Sequence, residues 1–286
     1  VTATVESPGL ARPRSRRSVP IIPAFCALFL LAVIVFGIAG ARLSPYHPLA
    51  QDPLLGVTSG GGGHLLGTDQ LGRDALSQLL AGTQSATLGP LLVALGCLVV
   101  GASLGMAAAY FGGTTDTIVN GAADLIYALP ALLIAIVVLG VTGGGYWTTA
   151  FVLLALSLPY EIRICRSAAM AQVHRLYIDA ARTAGLSPVR IIFRQVAPNI
   201  APTLVASFLL DFVTALIGFA ALSYLGLGVP PGSPNWGVML ADGQSLIGEN
   251  PWLSVGPAVL LIVTAASATL LGDWLHESLE NKGERS

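Results

Sequence analysis

The chain has 286 residues, of which 54% are hydrophobic and only 10% charged, whereas a soluble domain carries roughly 25% charged residues. This composition excludes an ordinary soluble domain and places the chain in the membrane class. Its net charge of -1 says nothing about partners, because the information lies in where the charges sit. No charged residue occurs between Asp74 and Asp116, or between Asp124 and Glu161. Each gap exceeds the about 20 apolar residues that cross a bilayer as helix.

In chain order, a tail over residues 1–20 carries Arg12, Arg14, Arg16 and Arg17. The first apolar segment, 21–39, lies in an uncharged run from Ser18 to Ala41. That run is longer than the roughly 7–15-residue core of a signal peptide, so the segment reads as a retained span, although Ala39-Gly40-Ala41 mimics a cleavage site. Residues 40–85 form an extracytoplasmic segment. Within it "SGGGGH", 59–64, has no strand or helix pattern around it and reads as a flexible linker, not a nucleotide loop. Leu71, Ala75, Leu76, Leu79 and Leu80 outline one helical face, with Asp69 and Arg73 four apart. This predicts an interfacial helix capped by Thr68 or Asp69.

A five-helix core over 86–275 follows, with spans at 86–111, 118–141, 147–164, 201–228 and 253–273, then a tail over 276–286. Gly101 and Gly105 form a G-x-x-x-G pair that favours close helix packing. Pro130 predicts a kink in the third span, as packing detail or as an aid to gating. Asp211 lies near mid-bilayer in the fifth span, where an ionised carboxylate costs roughly 2.5–3.5 kcal/mol. It faces the bundle interior or water, either lining a solute path or tying spans together as a protonated or hydrogen-bonded acid. Asp124 and Glu161 fall near span ends, where Arg163, Arg166 or lipid headgroups are the expected contacts, and Asp273 closes the last span similarly. Cys26, Cys97 and Cys165 lack pairing or metal-ligand spacing and read as small buried hydrophobes. His47, His64, His174 and His276 are likewise scattered.

Orientation follows from the basic residues, which stay on the cytoplasmic side. With both termini inside, twelve of the fourteen basic residues are cytoplasmic and only Arg42 and Arg73 lie outside. Trp147, Trp252 and Trp274 then sit at span ends, where amphipathic rings settle at the headgroups. The expected fold is an all-α membrane protein with six transmembrane helices and cytoplasmic N- and C-termini.

Its largest inside loop, 165–199, concentrates arginine. From Ala171 to Ala184 the residues Val173, Leu176, Tyr177, Ala180, Ala181 and Ala184 recur at helical spacing. Asp179 lies on the opposite side, able to pair with Arg175 or Arg182. Gly185 stops the helix. Ser187-Pro188 then opens a second short helix to about Ala197, with Val189, Ile192, Phe193 and Val196 on one face, and Pro198 marks its end. Either this is an amphipathic loop resting on anionic headgroups, or its small-residue face receives another surface.

At these residues the chain resembles the EAA loop of ABC importer permeases, written Glu-Ala-Ala, three residues, Gly, nine residues, then a hydrophobic, any residue, Leu, Pro. Asp179, Ala180, Ala181, Gly185 and Pro198 stand at that spacing, with Asp179 for Glu, Gln195 for the hydrophobic residue and Ala197 for Leu as departures. "HLLGTDQLGRDALSQLLAG", 64–82, and "ALSYLGLGVPPGSPNWGVML", 221–240, are similar to segments of the dipeptide, oligopeptide and nickel permease group, as is "LLGDWLHESL" near the C-terminus.

The resemblance implies an inner-membrane permease subunit of an ATP-driven peptide importer, with nickel or another small solute as an alternative cargo. An ion-coupled secondary transporter and a non-conducting anchor are the readings from other classes. It implies that Tyr177, Asp179, Ala180, Ala181, Ala184, Gly185 and Pro198 dock onto ATP-binding subunits. Asp69, Arg73, Asn235, Trp236 and Gly237 would meet an extracytoplasmic peptide-binding protein, and a second homologous permease would share the path. No nucleic-acid partner is implied. The only lysine is Lys282, so the phosphate-cradling pattern G-x-x-x-x-G-K-[ST] is absent. No cofactor is expected on this chain, ATP and Mg belonging to the partner subunits, and no catalytic or metal residue is assigned.

Overall fold

A computed structural model describes residues 21–283; Arg12, Arg14, Arg16, Arg17 and Arg285 lie outside these residues. Helix α1, Ile21–Leu43, leads into a loop-rich segment, and α2, Ala75–Gly96, continues through a π turn at Cys97–Gly101 into α3, Ala102–Phe111. Helices α4, Gly113–Tyr127, and α5, Ala131–Thr142, precede the long α6, Tyr146–Val173. Short helices α7, Leu176–Thr183, α8, Pro188–Ile191, and α9, Ala197–Asn199, lie at the arginine-rich end, with a second π turn at Ile192–Val196. Helix α10, Ala201–Tyr224, returns through the bundle to α11, Trp236–Gln244, at the loop-rich end, and α12, Trp252–Gly283, closes the fold. Among the described residues the only β pairing is three isolated bridges between residues 58 and 74.

Among the described residues, five stretches are long and apolar enough to span a membrane. Helices α4 and α5 pass the same test together as one broken crossing, bent by 79°. The bend follows from Pro130, which has no N–H and holds its own backbone extended at φ -63° and ψ 114°. What the sequence predicts as a kink is therefore a break, with Ala131 restarting the helix.

The second crossing begins eleven residues earlier than expected, because Asp74 caps it. The Asp74 carboxylate accepts from the Ser77 backbone N–H at 2.8 Å and from the Ser77 hydroxyl at 2.6 Å. The interfacial helix expected before residue 86 is thus the first three turns of α2, standing in the bundle. Thr68 and Asp69 are not its caps: Thr68 donates to the Gly56 carbonyl at 2.6 Å, and Asp69 serves a turn of its own. Nor is "SGGGGH" a free linker. Gly61 and His64 exchange both backbone hydrogen bonds, and His64 Nδ1 lies 2.8 Å from Asp74.

Asp69 and Arg73 lock the loop-rich end. Arg73 Nε donates to Asp69 at 2.6 Å, Gln78 donates to the same oxygen at 2.9 Å, and Arg73 Nη1 reaches the Gly232 carbonyl at 3.0 Å. Both charged residues are buried, so the pair holds the segment before α2 against the segment before α11. Trp236, also buried, drives its indole between α2 and α10 and donates to the Leu79 carbonyl at 3.1 Å. Asn235 caps α11 through the Gly237 N–H at 2.9 Å.

At the other end, α3 crosses α6 on Gly101 and Gly105. A Cβ at Gly105 would lie 2.5 Å from the Ile162 carbonyl oxygen, and one at Gly101 would lie 2.8 Å from Glu161 Cγ. The glycines permit backbone-to-backbone approach, as their spacing predicts.

Two outcomes follow for stability. Arg73→Ala leaves Asp69 buried without its cation, a loss of about 3–5 kcal/mol for a broken buried pair; hydrogen exchange of the amides around residues 67–75 and 230–242 should accelerate while α6 stays protected. Gly105→Leu should separate α3 from α6 and lower the yield of monodisperse protein in size-exclusion chromatography. Gly121→Ala, where no atom lies within 4 Å of the added carbon, should leave that yield unchanged.

Candidate functional site

The bent arginine-rich segment is built on an apolar seat. Ile178 and Ala181 of α7, Ile191, Ile192 and Val196 bury themselves against Ala102, Met106, Cys165, Ala169 and Val173. The helix expected from Ala171 to Ala184 is in fact two, because α6 ends at Val173 and the chain turns at His174 before α7 begins. This turn rotates α7 so that Ile178 and Ala181 point inward, while Leu176, Tyr177, Ala180 and Ala184 are exposed. Ala181 is therefore part of the seat, a correction to its expected place on the outer face. The second helix is likewise rotated: the π turn brings Ile191 to the buried side, and Val189 and Phe193 are exposed.

Gly185, at φ +75°, ends α7 in the left-handed conformation. Its N–H donates to the Arg182 carbonyl at 3.0 Å and that of Leu186 to the Ala181 carbonyl at 3.2 Å, the double bond of a Schellman cap. Leu186 then packs onto the seat. Ser187 precedes Pro188 at the start of α8 without a side-chain cap bond. Asp179 pairs with Arg182 at 3.2 Å, and Arg182 lies 4.9 Å from the centre of the Tyr110 ring. Tyr177 donates to Gln172 at 3.0 Å. Tyr177, Asp179, Ala180, Ala184, Gly185 and Pro198 thus share the exposed side of this segment.

Two carboxylates occupy the bundle interior. Asp124 pairs with Arg163, and Asp116 with Arg166. Glu161, expected near those arginines or headgroups, instead points into the bundle with no exposed surface. The close approach at Gly101 fixes it there, and its Oε1 accepts from Cys165 Sγ and Ser207 Oγ, each at 3.0 Å. Asp211 is buried beside Cys97, whose thiol faces its carboxylate. One oxygen of each acid, Glu161 Oε2 and Asp211 Oδ2, has no hydrogen-bond partner. Cys97 and Cys165 are buried as expected, but as partners of the acids and not merely as filler.

Asp211 also lines a cavity of about 500 Å³ between the α4–α5 break, α6 and α10. Tyr127, Ser157, Tyr160 and Thr214 supply its other polar groups, and leucines and alanines supply the rest. These four residues were not anticipated. For Thr214 the signal is present in the sequence: Ser207, Asp211, Thr214 and Gly218 recur at three- and four-residue spacing along an otherwise apolar helix.

Of the five residues expected to meet an external partner, Asp69, Arg73, Asn235, Trp236 and Gly237 are all buried within the chain. Asp69, Arg73, Asn235 and Trp236 make side-chain hydrogen bonds with groups within the chain and so hold the loop-rich end together. A Cβ at Gly237 would lie 2.4 Å from the Ala220 carbonyl oxygen, so this glycine is required by packing on α10.

Comparison with known proteins agrees with this architecture. Residues 101–283 match the family described as binding-protein-dependent transport system inner membrane component. The di/tripeptide transport system permease protein DppC of Pseudomonas aeruginosa is 33% identical over 261 residues, covering 89% of this chain and 86% of that one. The dipeptide transport system permease protein DppC of Escherichia coli K12 is 34% identical, covering 89% and 87%. The glutathione transport system permease protein GsiD of Pectobacterium atrosepticum is 30% identical, covering 89% and 85%. Among solved structures, a chain of the MetNI methionine ABC transporter in an inward-facing conformation superposes with a TM-score of 0.56 at 16% identity, over 71% of this chain and 96% of that one. With well over half of its length inside one family's bounds and relatives alike over 89% of the chain, this multi-pass protein of the cytoplasmic membrane belongs to the binding-protein-dependent transport system inner membrane components.

Proposed function

We propose that the chain is one of two permease subunits of an ATP-driven importer of di- and oligopeptides. The observation that carries this reading is the 33% and 34% identity, over 89% of the chain, to permeases named for dipeptides and tripeptides. The glutathione permease, whose name also specifies a peptide, points the same way. Nickel and ion-coupled transport have no comparable support among these relatives.

In this reading the arginine-rich end faces the cytoplasm, in keeping with the placement of basic residues. The exposed side of the bent segment meets a separate ATP-hydrolysing subunit. Ala180 and Ala184 leave room for close approach, and Leu176, Tyr177 and Phe193 supply exposed apolar contact area. Because Ile178, Ala181 and Ile191 of the same segment are sunk among residues of α3 and α6, a displacement of the segment is handed to two crossings at once. A peptide released by an external binding protein would enter from the loop-rich end.

The test compares two adjacent alanines in the assembled transporter. Ala180→Arg places a large cation on the exposed face, and should abolish co-purification of the ATP-binding subunits and cut ATP-dependent dipeptide uptake by at least about tenfold, the equivalent of about 1.4 kcal/mol. Its helical content and membrane insertion should be unchanged. Ala181→Arg drives the same group into the seat and should instead lower the amount of folded protein. Undiminished uptake with Ala180→Arg would overturn the docking role, and wild-type complex that takes up no peptide in the presence of ATP and its binding protein would overturn the transport role.

A further inference from the structure

Asp211 is 2% exposed, and its Oδ2 has no hydrogen-bond partner. Burying a carboxylate without a counter-charge is costly unless a partner offsets it, and nothing on the cavity wall does so. The lining includes no Lys, Arg or His. Arg163, at the Tyr127 side, is engaged by Asp124, and its guanidinium lies 4.5 Å from the centre of the Tyr127 ring. On neighbouring helices Cys97 and Glu161 interact with Asp211. Neither supplies positive charge, and the carboxylate of Glu161 adds repulsion to an ionised Asp211.

A ligand entering the cavity is one source of that complement. The cavity, at about 500 Å³, falls within the range of small-molecule sites, which are roughly 300–1,000 Å³ and mostly apolar with a few placed polar groups. A metal ion does not suit the donor set, since among the described residues no three His, Cys, Asp or Glu side chains converge. A primary ammonium does: it donates up to three hydrogen bonds, Asp211 is the one carboxylate among the lining residues, and the ring of Tyr160 beside it attracts a cation. Leu153, Leu156 and Leu210 line the remainder as apolar wall.

We infer that the cavity between the α4–α5 break, α6 and α10 is a binding site for the terminal ammonium of a short peptide, with Asp211 as its anionic anchor and Tyr127 and Tyr160 beside it. The identification of the amine with that of a peptide rests on the proposed transport function, whereas the ammonium site itself rests on the cavity and on Asp211 as the one charged residue of its lining.

The experiment uses the complete transporter assembled in nanodiscs with Thr214→Cys on the cavity wall, at an exposed position. The rate of thiol labelling at residue 214 is measured against added Leu-Ala, N-acetyl-Leu-Ala and phenethylammonium. Leu-Ala and phenethylammonium should protect at concentrations at least about tenfold below the acetylated peptide, the discrimination expected when a charge-assisted hydrogen bond is lost. This comparison needs no change at Asp211. Adding Asp211→Asn should erase the preference, and Asp211→Glu should restore part of it. Equal protection by acetylated and free-amine probes, or protection by neither, would overturn the inference. Selective protection by phenethylammonium in a complex that transports no peptide would uphold the ammonium site and reject the peptide reading. Peptide uptake with no amine preference at residue 214 would do the reverse.

Discussion

The arginine-rich half of this protein depends on how near α3 comes to α6. With hydrogen in place of a side chain at Gly105, the α3 backbone lies against the Ile162 carbonyl, and van der Waals packing, not a hydrophobic driving force, holds helices together in lipid. That contact sets the width of the groove into which Ile178, Ile191 and Val196 fit. It also pins Glu161 beneath Gly101 and aims its carboxylate at Ser207. One pair of glycines thus fixes both the seat of the exposed bent segment and the position of a charge-bearing group inside the bundle.

The loop-rich half is organised on a different principle. Beside a small apolar cluster of Ala75, Leu246 and Leu253, its segments are held by charge and hydrogen bonds. Asp69 receives bonds from Leu71, Arg73 and Gln78, and Arg73 extends the network to Gly232. Charge-assisted bonds of this kind are roughly twice as strong as neutral ones, and their burial makes the loss of any one member expensive. The same end is filled by Trp236, whose indole donor is satisfied by the Leu79 carbonyl, so a large ring is accommodated without an orphaned N–H.

The sequence was legible wherever one physical constraint dominates. Charge-free stretches longer than a bilayer is thick located the crossings, because unpaired charge in hydrocarbon is costly. Gly185 identified the end of α7, since few other residues accept its left-handed backbone. The failures have a common cause in tertiary contact. Asp74 does not announce itself as a cap, because the charge-free run starting beside it marks only what is apolar, not where helix begins. Ala180 and Ala181 look alike in sequence, and only the turn at His174 decides which of them is buried. Asp69 and Arg73, four apart, suggested an exposed helical pair. Their partners Gly232 and Gln78 come from a distant loop and from the start of α2, and no local spacing predicts that meeting. Glu161 was assigned to the arginines nearest in sequence, whereas the glycine opposite it decides its direction.

The wedge formed by Trp236 has a consequence for the shape of any passage through the membrane. With Phe219, Leu216 and Met239 also buried around the same end, the bundle is stoppered along its own long axis by close-packed rings and branched carbons. Such packing leaves no room for a solute beside Trp236, and the room this chain offers lies elsewhere, in the cavity beside Asp211 between α5, α6 and α10.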